Sequence, residues 1–315
     1  MSNMHRIAWS VKPFAQELPR SPSRILDVAA AAHRPGDRRV VSFGDSGVRV
    51  GAGEFLVIAG PCSVESRDGI DRIARSVADA GAGMLRGGAW KPRTSPRSFQ
   101  GLGPDALKML ALAREASGLP FVTEVLDPRD AEQAAQVADM LQIGARNMSN
   151  GALLREVART GRPVLLKRGF GATVAELLDA ADYLLAEGNE DVLLVERGIR
   201  TFEDSTRFTL DISAVPVLRE RTHLPVIVDP SHPAGAARWV PDLARAAAAV
   251  GADGLMVEVH DSPQDALSDG EQSLDPRQFE ELVVSLDRVL DAVGGRRSVP
   301  DARAEGAPVS AASTA

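Results

Sequence analysis

Four side chains of metal-binding type stand at or just beyond the ends of apolar runs: Cys62 in GPCSVES, His232 in DPSH, Glu258 in VEVH and Asp269 in LSDG. A soft thiolate, an imidazole and two hard carboxylates together suit a borderline or transition divalent ion such as Zn, Mn or Fe. Each alone has a plainer reading. A lone cysteine packs in cores, His232 is a turn residue beside Pro233, and Asp269 is a turn former. Their common position at the ends of the runs favours the joint reading.

Basic residues gather at the same places. The segment LRGGAWKPRTSPRSFQGLG, Leu85 to Gly103, carries Arg86, Lys91, Arg93 and Arg97, with glycines that permit close backbone approach and the hydroxyls of Thr94 and Ser95. Arg146 follows in GARN, Lys167 and Arg168 in LLKRG, and Arg197 and Arg200 in ERGIRT. Guanidinium groups fit phosphate or carboxylate in bidentate fashion, so a ring of them suits two anionic substrates. Singly, any of them could be a solvated loop charge or a partner of Glu124, Glu196 or Asp229.

The elements that must position these groups are legible as repetition. Eight short apolar runs begin near Phe55, Met84, Phe121, Met140, Pro163, Val192, Pro225 and Gly254. Between them, stretches such as DGIDRIARSVADAG, DALKMLALAREASG, ELLDAADYLLAEG and VPDLARAAAAVG place apolar residues three or four apart and stop at glycine, as helices packed on a sheet do. Strand and helix repeated eight times predict a single (β/α)8 TIM barrel, an α/β fold whose chemistry sits at the C-terminal ends of the strands. From Arg39, RVVSFGDSGVRVGAG predicts a short N-terminal β-hairpin closing the barrel floor. Residues 1–38 read as an irregular N-terminal extension, with SRILDVAAAAH the one short helix; 39–294 as the catalytic barrel; and 295–315 as a disordered tail.

Composition sets the class. With 44% hydrophobic and 25% charged residues the chain is an ordinary globular one, and a net charge of -7 with pI near 5.4 argues against nucleic acid as a partner. One cysteine allows no internal disulfide, and neither a signal-type apolar region nor a membrane-length stretch is found. The expectation is a cytoplasmic protein with no membrane contact.

Taken in order along the chain, GPCSVES, LRGGAWKPRTSPRSFQGLG, QIGARNM, LLKRG, ERGIRTFE, DPSH and the EVH to SDG pair resemble the metal-dependent DAHP synthases, type I-beta branch, from about Val40 to Leu290. The resemblance implies condensation of phosphoenolpyruvate with erythrose 4-phosphate at the entry to the shikimate pathway. It implies Cys62, His232, Glu258 and Asp269 as ligands of one divalent ion (Mn, Zn, Fe or Co). Arg86, Lys91, Arg146, Lys167 and Arg197, with the backbone at Ala145, match positions that hold phosphoenolpyruvate. Arg93 and Thr94 match residues around the sugar phosphate, and Asp229 lies where the family approaches the aldose. Lys91 acts with the metal on the aldehyde oxygen, while Glu124 and a water on the metal are both candidates for activating the attacking water.

Several positions depart from that pattern. Phe170 and Gly171 stand where methionine and serine are expected, Val195 replaces a cysteine, and Phe208 replaces an asparagine. If Phe208 faces the aldose, it removes a polar contact. Two rivals are the related octulosonate phosphate synthase, which uses arabinose 5-phosphate, and a non-catalytic barrel binding phosphorylated metabolites. KPRT argues against the first, whose segment is KANR-like, and intact metal ligands argue against the second. The segment before Val40 is too short for a regulatory domain, so feedback inhibition through one is not expected. A homo-dimer or homo-tetramer, and a separate chorismate mutase bound in trans, are implied by resemblance alone.

Overall fold

The computed structural model describes residues 38–93 and 95–301, so the expected N-terminal helix from Ser23 and the side chain of Thr94 lie outside the described residues. Each apolar run forms a strand: β3 (Glu54–Gly60), β4 (Met84–Arg86), β5 (Phe121–Glu124), β6 (Met140–Ile143), β7 (Val164–Lys167), β8 (Val192–Glu196), β9 (Val226–Val228) and β10 (Gly254–Glu258). Neighbours pair in parallel in chain order, and β10 returns to β3 with Gly254 opposite Leu56 and Glu258 opposite Gly60, which closes the barrel. The crossovers include α1 (Arg67–Asp79), α2 (Pro104–Ser117), α3 (Ala131–Ala135), α4 (Gly151–Arg159), α5 (Val174–Ala186), α6 (Ala214–Arg221), α7 (Ser231–Ala234) and α8 (Val240–Ala249), followed by α9 (Pro276–Val293).

Strand periodicity of two builds three layers inside the barrel. At the floor, β1 (Val41–Ser42) and β2 (Arg49–Val50) form an antiparallel hairpin with Val41 opposite Val50. Its Val41, Phe43, Val48 and Val50 pack into one cluster with inward residues of the barrel strands, among them Leu56, Ile58, Met84, Met140 and Ile227. Two residues further along seven of the eight strands the inward position turns polar: Arg86, Glu124, Gln142 and Lys167, then Arg197, Asp229 and Glu258, all buried, while on β3 it is Gly60. The outward set, including Leu85, Leu141, Leu194 and Val257, joins the helices in the larger apolar core. A slip of one residue in most of these strands would exchange a polar or charged group for a core aliphatic, so the pattern fixes the register.

The expected disordered tail needs correction at its start. Arg296–Ser298 forms a further strand, β11, pairing in parallel with β3 at Glu54, Phe55 and Leu56. The short β4 meets β3 only at Ile58 and Ala59, so the first half of β3 would leave its backbone groups unpaired on that side. The chain leaving α9 satisfies them, and backbone hydrogen bonding overrides a sequence with little strand character. No helix among the described residues is long and apolar enough to cross a membrane.

Candidate active site

The polar inner layer opens at the C-terminal ends of the strands into a cavity of about 290 Å³. Its basic wall comes from Arg86, Lys91, Arg93, Arg146, Lys167 and Arg197. Lys91 is held there because the loop after β4 folds back on itself, with Lys91 N donating to Gln100 O at 2.9 Å and Gly103 N to Ala89 O at 2.9 Å. Gly101 makes that fold possible, since its φ is +91° and a Cβ would lie 2.3 Å from Ala89 O. Ala145 and Arg146 reach the cavity on a short turn after β6.

Not every strand-end cation joins. Arg168, next to Lys167, points to the opposite face of the sheet and donates at 2.8 Å to both Glu196 and Asp211. Arg97 and Arg200 are not among the residues lining the cavity, whereas Arg207, which sequence reasoning passed over, is. Two of the wall guanidiniums are buried with a nitrogen unbonded, NH1 of Arg86 and NH1 of Arg197. Leaving such donors unpaired costs about 1–3 kcal/mol each, a cost an incoming anion would remove.

At one side of the cavity the ligand atoms of Cys62, Glu258 and Asp269 lie within 4.8 Å of one another, a group able to hold a metal ion. His232 stands beside it, with Nε2 3.7 Å from Glu258 Oε1. Its other nitrogen, Nδ1, is 2.7 Å from Asp229 Oδ2, and burial pushes the imidazole below its ordinary pKa despite Asp229 and Glu258. A neutral ring that donates from Nδ1 to the carboxylate presents the Nε2 lone pair outward, as a ligand should. Asp229 also accepts from Lys167 Nζ at 2.7 Å, is fully buried and is not among the cavity-lining residues. Expected near the aldose, it is placed beneath the wall, between Lys167 and His232.

The donor set fits a cation on its own evidence. Glu258 Oε1 is buried without a hydrogen bond, although Arg86 NH2 is 3.2 Å away. Its partner oxygen accepts from Gln272 Nε2 at 2.6 Å. Burial first, then Glu258, pushes the Cys62 thiol up to about 12, and Cys62 donates to Asp269 Oδ2 at 2.8 Å while Lys91 Nζ approaches the sulfur at 2.8 Å. Burial opposes the charge on Asp269, but the hydrogen bonds from Cys62 and Arg207 hold its carboxyl far below the usual range. Asp269 adopts a left-handed backbone, φ +53°, strain of the kind that persists where tertiary contacts demand a side-chain direction.

Gln272 and Arg207 were missed by sequence reasoning because one sits on a single 3-10 turn, Gly270–Gln272, and the other in an irregular connection, neither with any periodicity. Arg207 NH1 donates to Asp269 Oδ1 at 2.8 Å and to Gln272 Oε1 at 2.7 Å, so one guanidinium braces Asp269 directly and Glu258 through Gln272. Glu124 also lines the cavity and has room there because residue 144 is glycine, where a Cβ would sit 2.0 Å from Glu124 Oε1.

A parallel barrel whose C-terminal mouth joins a basic wall to a Cys–Glu–Asp group has the architecture of an enzyme acting on small phosphorylated substrates. The chain belongs to the DAHP synthetase I family, whose model matches residues 31–292. It is 51% identical over 255 residues, 81% of this chain and 75% of the relative, to the phospho-2-dehydro-3-deoxyheptonate aldolase of Thermotoga maritima. A 2-dehydro-3-deoxyphosphooctonate aldolase of Rhodopseudomonas palustris is 36% identical over 278 residues, covering 82% of this chain and 95% of the relative. The crystal structure of the Thermotoga maritima protein superposes with a TM-score of 0.81 at 50% identity, over 83% of this chain and 76% of that one. A truncated form of 3-deoxy-D-arabino-heptulosonate 7-phosphate synthase from the same organism gives 0.78 at 46% identity, over 83% and 95%.

Proposed function

We propose that this protein condenses phosphoenolpyruvate with erythrose 4-phosphate and water, giving 3-deoxy-D-arabino-heptulosonate 7-phosphate and phosphate. The observation that carries this reading is a basic wall and a metal-type group side by side at one cavity: Asp269 and His232 line it, and Cys62 and Glu258 lie just behind, against Lys91 and Arg86 of the wall. The higher identity to a heptonate-named relative, 51% against 36% for an octonate-named one, favours the four-carbon aldose.

In this reading Arg86, Arg146, Lys167 and Arg197, with the Ala145 backbone, hold the phosphate and carboxylate of phosphoenolpyruvate and offset repulsion between the two anions. Arg93 and Thr94 take the sugar phosphate. A divalent ion held by Cys62, His232, Glu258 and Asp269 would supply Lewis-acid polarisation of the aldehyde. Lys91 Nζ points a proton toward the aldehyde oxygen as the C3 carbon of phosphoenolpyruvate bonds to the aldehyde carbon. Water then adds to C2 and loses a proton toward Glu124, and the hemiketal collapses as the C2 to phosphate oxygen bond breaks, the hydroxyl proton leaving with the phosphate and a ketone remaining. Asp229 acts one step back, orienting His232 and neutralising Lys167.

The test is phosphate release from phosphoenolpyruvate with erythrose 4-phosphate or arabinose 5-phosphate as acceptor, after chelation and after adding back Mn, Zn, Fe or Co singly. Release with erythrose 4-phosphate that stops on chelation is expected, and the ion restoring most activity identifies the metal. Cys62→Ala and His232→Ala should abolish metal-dependent turnover. Full activity of either variant without added metal removes the ion from the mechanism, and a preference for arabinose 5-phosphate transfers the chain to the octulosonate reaction. A homo-dimer or homo-tetramer and a chorismate mutase bound in trans belong to the same reading, and light scattering with and without a mutase tests both.

A further inference from the structure

The two aromatic departures noted in the sequence meet in space. Phe170, after β7, and Phe208, in the long connection after β8, both line the cavity and stack with ring centroids 5.9 Å apart and planes inclined by 29°. Each ring carries a guanidinium on its face. Arg197 lies 4.3 Å from the Phe208 centroid, and Arg200 lies 4.5 Å from that of Phe170. The result is a four-layer column, Arg197, Phe208, Phe170 and Arg200, running from the buried wall to the exposed rim.

The column is built into the backbone. Ile199 and Thr209 exchange hydrogen bonds at 2.9 and 3.0 Å, Phe208 N donates to Pro233 O at 3.2 Å, and Arg200 N donates to Phe170 O at 2.7 Å. Gly198, at φ +90°, permits the approach of residue 208, since a Cβ there would lie 2.9 Å from Phe208 Cβ.

Arg197 is 5% exposed, pairs with no carboxylate at salt-bridge distance among the described residues, and leaves NH1 without a hydrogen bond. A buried cation in that position needs support. A carboxylate would give it by occupying the N–H donors, and so would compete with any incoming anion. An aromatic face gives it through the ring quadrupole and accepts no strong hydrogen bond, so the donors stay available. The neighbouring Arg207, 5.9 Å from the same ring, by contrast donates from NH1 to Asp269 and Gln272.

We propose that Phe208, backed by Phe170, is a positioning residue that holds the Arg197 guanidinium over its ring with free donors aimed at the substrate anion. This rests on the reading of Arg197 as a phosphoenolpyruvate contact. The role belongs to the aromatic face rather than to bulk, so tyrosine should serve and leucine should not.

The experiment is calorimetric titration of phosphoenolpyruvate into the full chain loaded with its activating metal, alongside melting temperatures. Phe208→Leu should weaken binding about 3–30-fold, Phe208→Tyr should stay near the wild type, and Arg197→Ala should lose more than either. Loss of affinity in Arg197→Ala with none in Phe208→Leu overturns the proposal and leaves the function standing. Equal weakening in Phe208→Leu and Phe208→Tyr at unchanged melting temperature also overturns it. Should Phe208→Leu melt far below the wild type, Phe170→Leu carries the test, and unchanged affinity there removes the column from substrate binding. Wild-type chain that binds phosphoenolpyruvate yet releases no phosphate with erythrose 4-phosphate sinks the proposed reaction, while the leucine and tyrosine comparison still decides the positioning role.

Discussion

His232 and Asp229 form a fixed pair, with Nδ1 and Oδ2 2.7 Å apart, and the His232 backbone N–H donates to the other carboxylate oxygen at 3.1 Å. The same Oδ2 accepts from Lys167 at 2.7 Å, so one buried carboxylate orients a candidate metal ligand and neutralises a candidate anion-binding lysine. Asp229→Asn keeps the shape but removes the charge from both. Metal affinity should fall about 10–100-fold, measured by titrating the chelated protein with the activating ion. Unchanged affinity would leave Asp229 with a purely structural role.

Gly144→Ala separates activity from stability. The added Cβ would lie 2.0 Å from Glu124 Oε1, and only the mobile end of that side chain has to give way, since residue 144 has no positive φ. Unfolding free energy should change by less than about 1 kcal/mol while turnover drops, because the displaced carboxylate leaves its place on the cavity wall. Unaltered kcat in a variant with this substitution argues that Glu124 does not handle the proton.

The opposite separation is expected at the floor. Phe43 is buried between the hairpin and the strands' N-terminal ends, remote from the polar layer. Phe43→Ala should cost about 3–5 kcal/mol in urea unfolding. The kcat of the folded fraction should be retained, and a lower kcat at full folding would show that the floor shapes the site.

Arg168 predicts a pH dependence of stability. Burial works against the charge on Asp211, but hydrogen bonds from Arg168 and Ser213 outweigh it and hold the carboxyl below its ordinary value of 3.8. A group depressed on folding stabilises the native state above its unfolded pKa, and that contribution is lost as pH falls through the folded value. Wild type should therefore exceed Asp211→Asn in unfolding free energy at neutral pH, with the gap closing below about pH 4. A gap of constant size down to about pH 2 in urea titrations would assign the difference to packing instead.

Much of the architecture was readable because repetition encodes it. Each apolar run became a strand, and Gly118 and Gly294 end α2 and α9 in the left-handed conformation that such stops require. Thr173 with Glu176, and Asp275 with Gln278, close the N-termini of α5 and α9 as reciprocal capping boxes. The strand at Arg296–Ser298 was not readable, since its cause is a vacant edge on β3 rather than any propensity of its own.

Along the chain alone, residue types at the ends of the runs determined a barrel with cations and metal-type groups at its mouth, because strand alternation and chain order are local properties. Which neighbour faces inward needed the closed sheet: Lys167 enters the cavity while adjacent Arg168 turns away to Glu196 and Asp211. So did the links across loops, from Arg207 to Asp269 and Gln272, and from Phe208 to Arg197 and Phe170. Those contacts join segments far apart in sequence, and no spacing rule carries a distance that only the packing of eight strands and their connections sets.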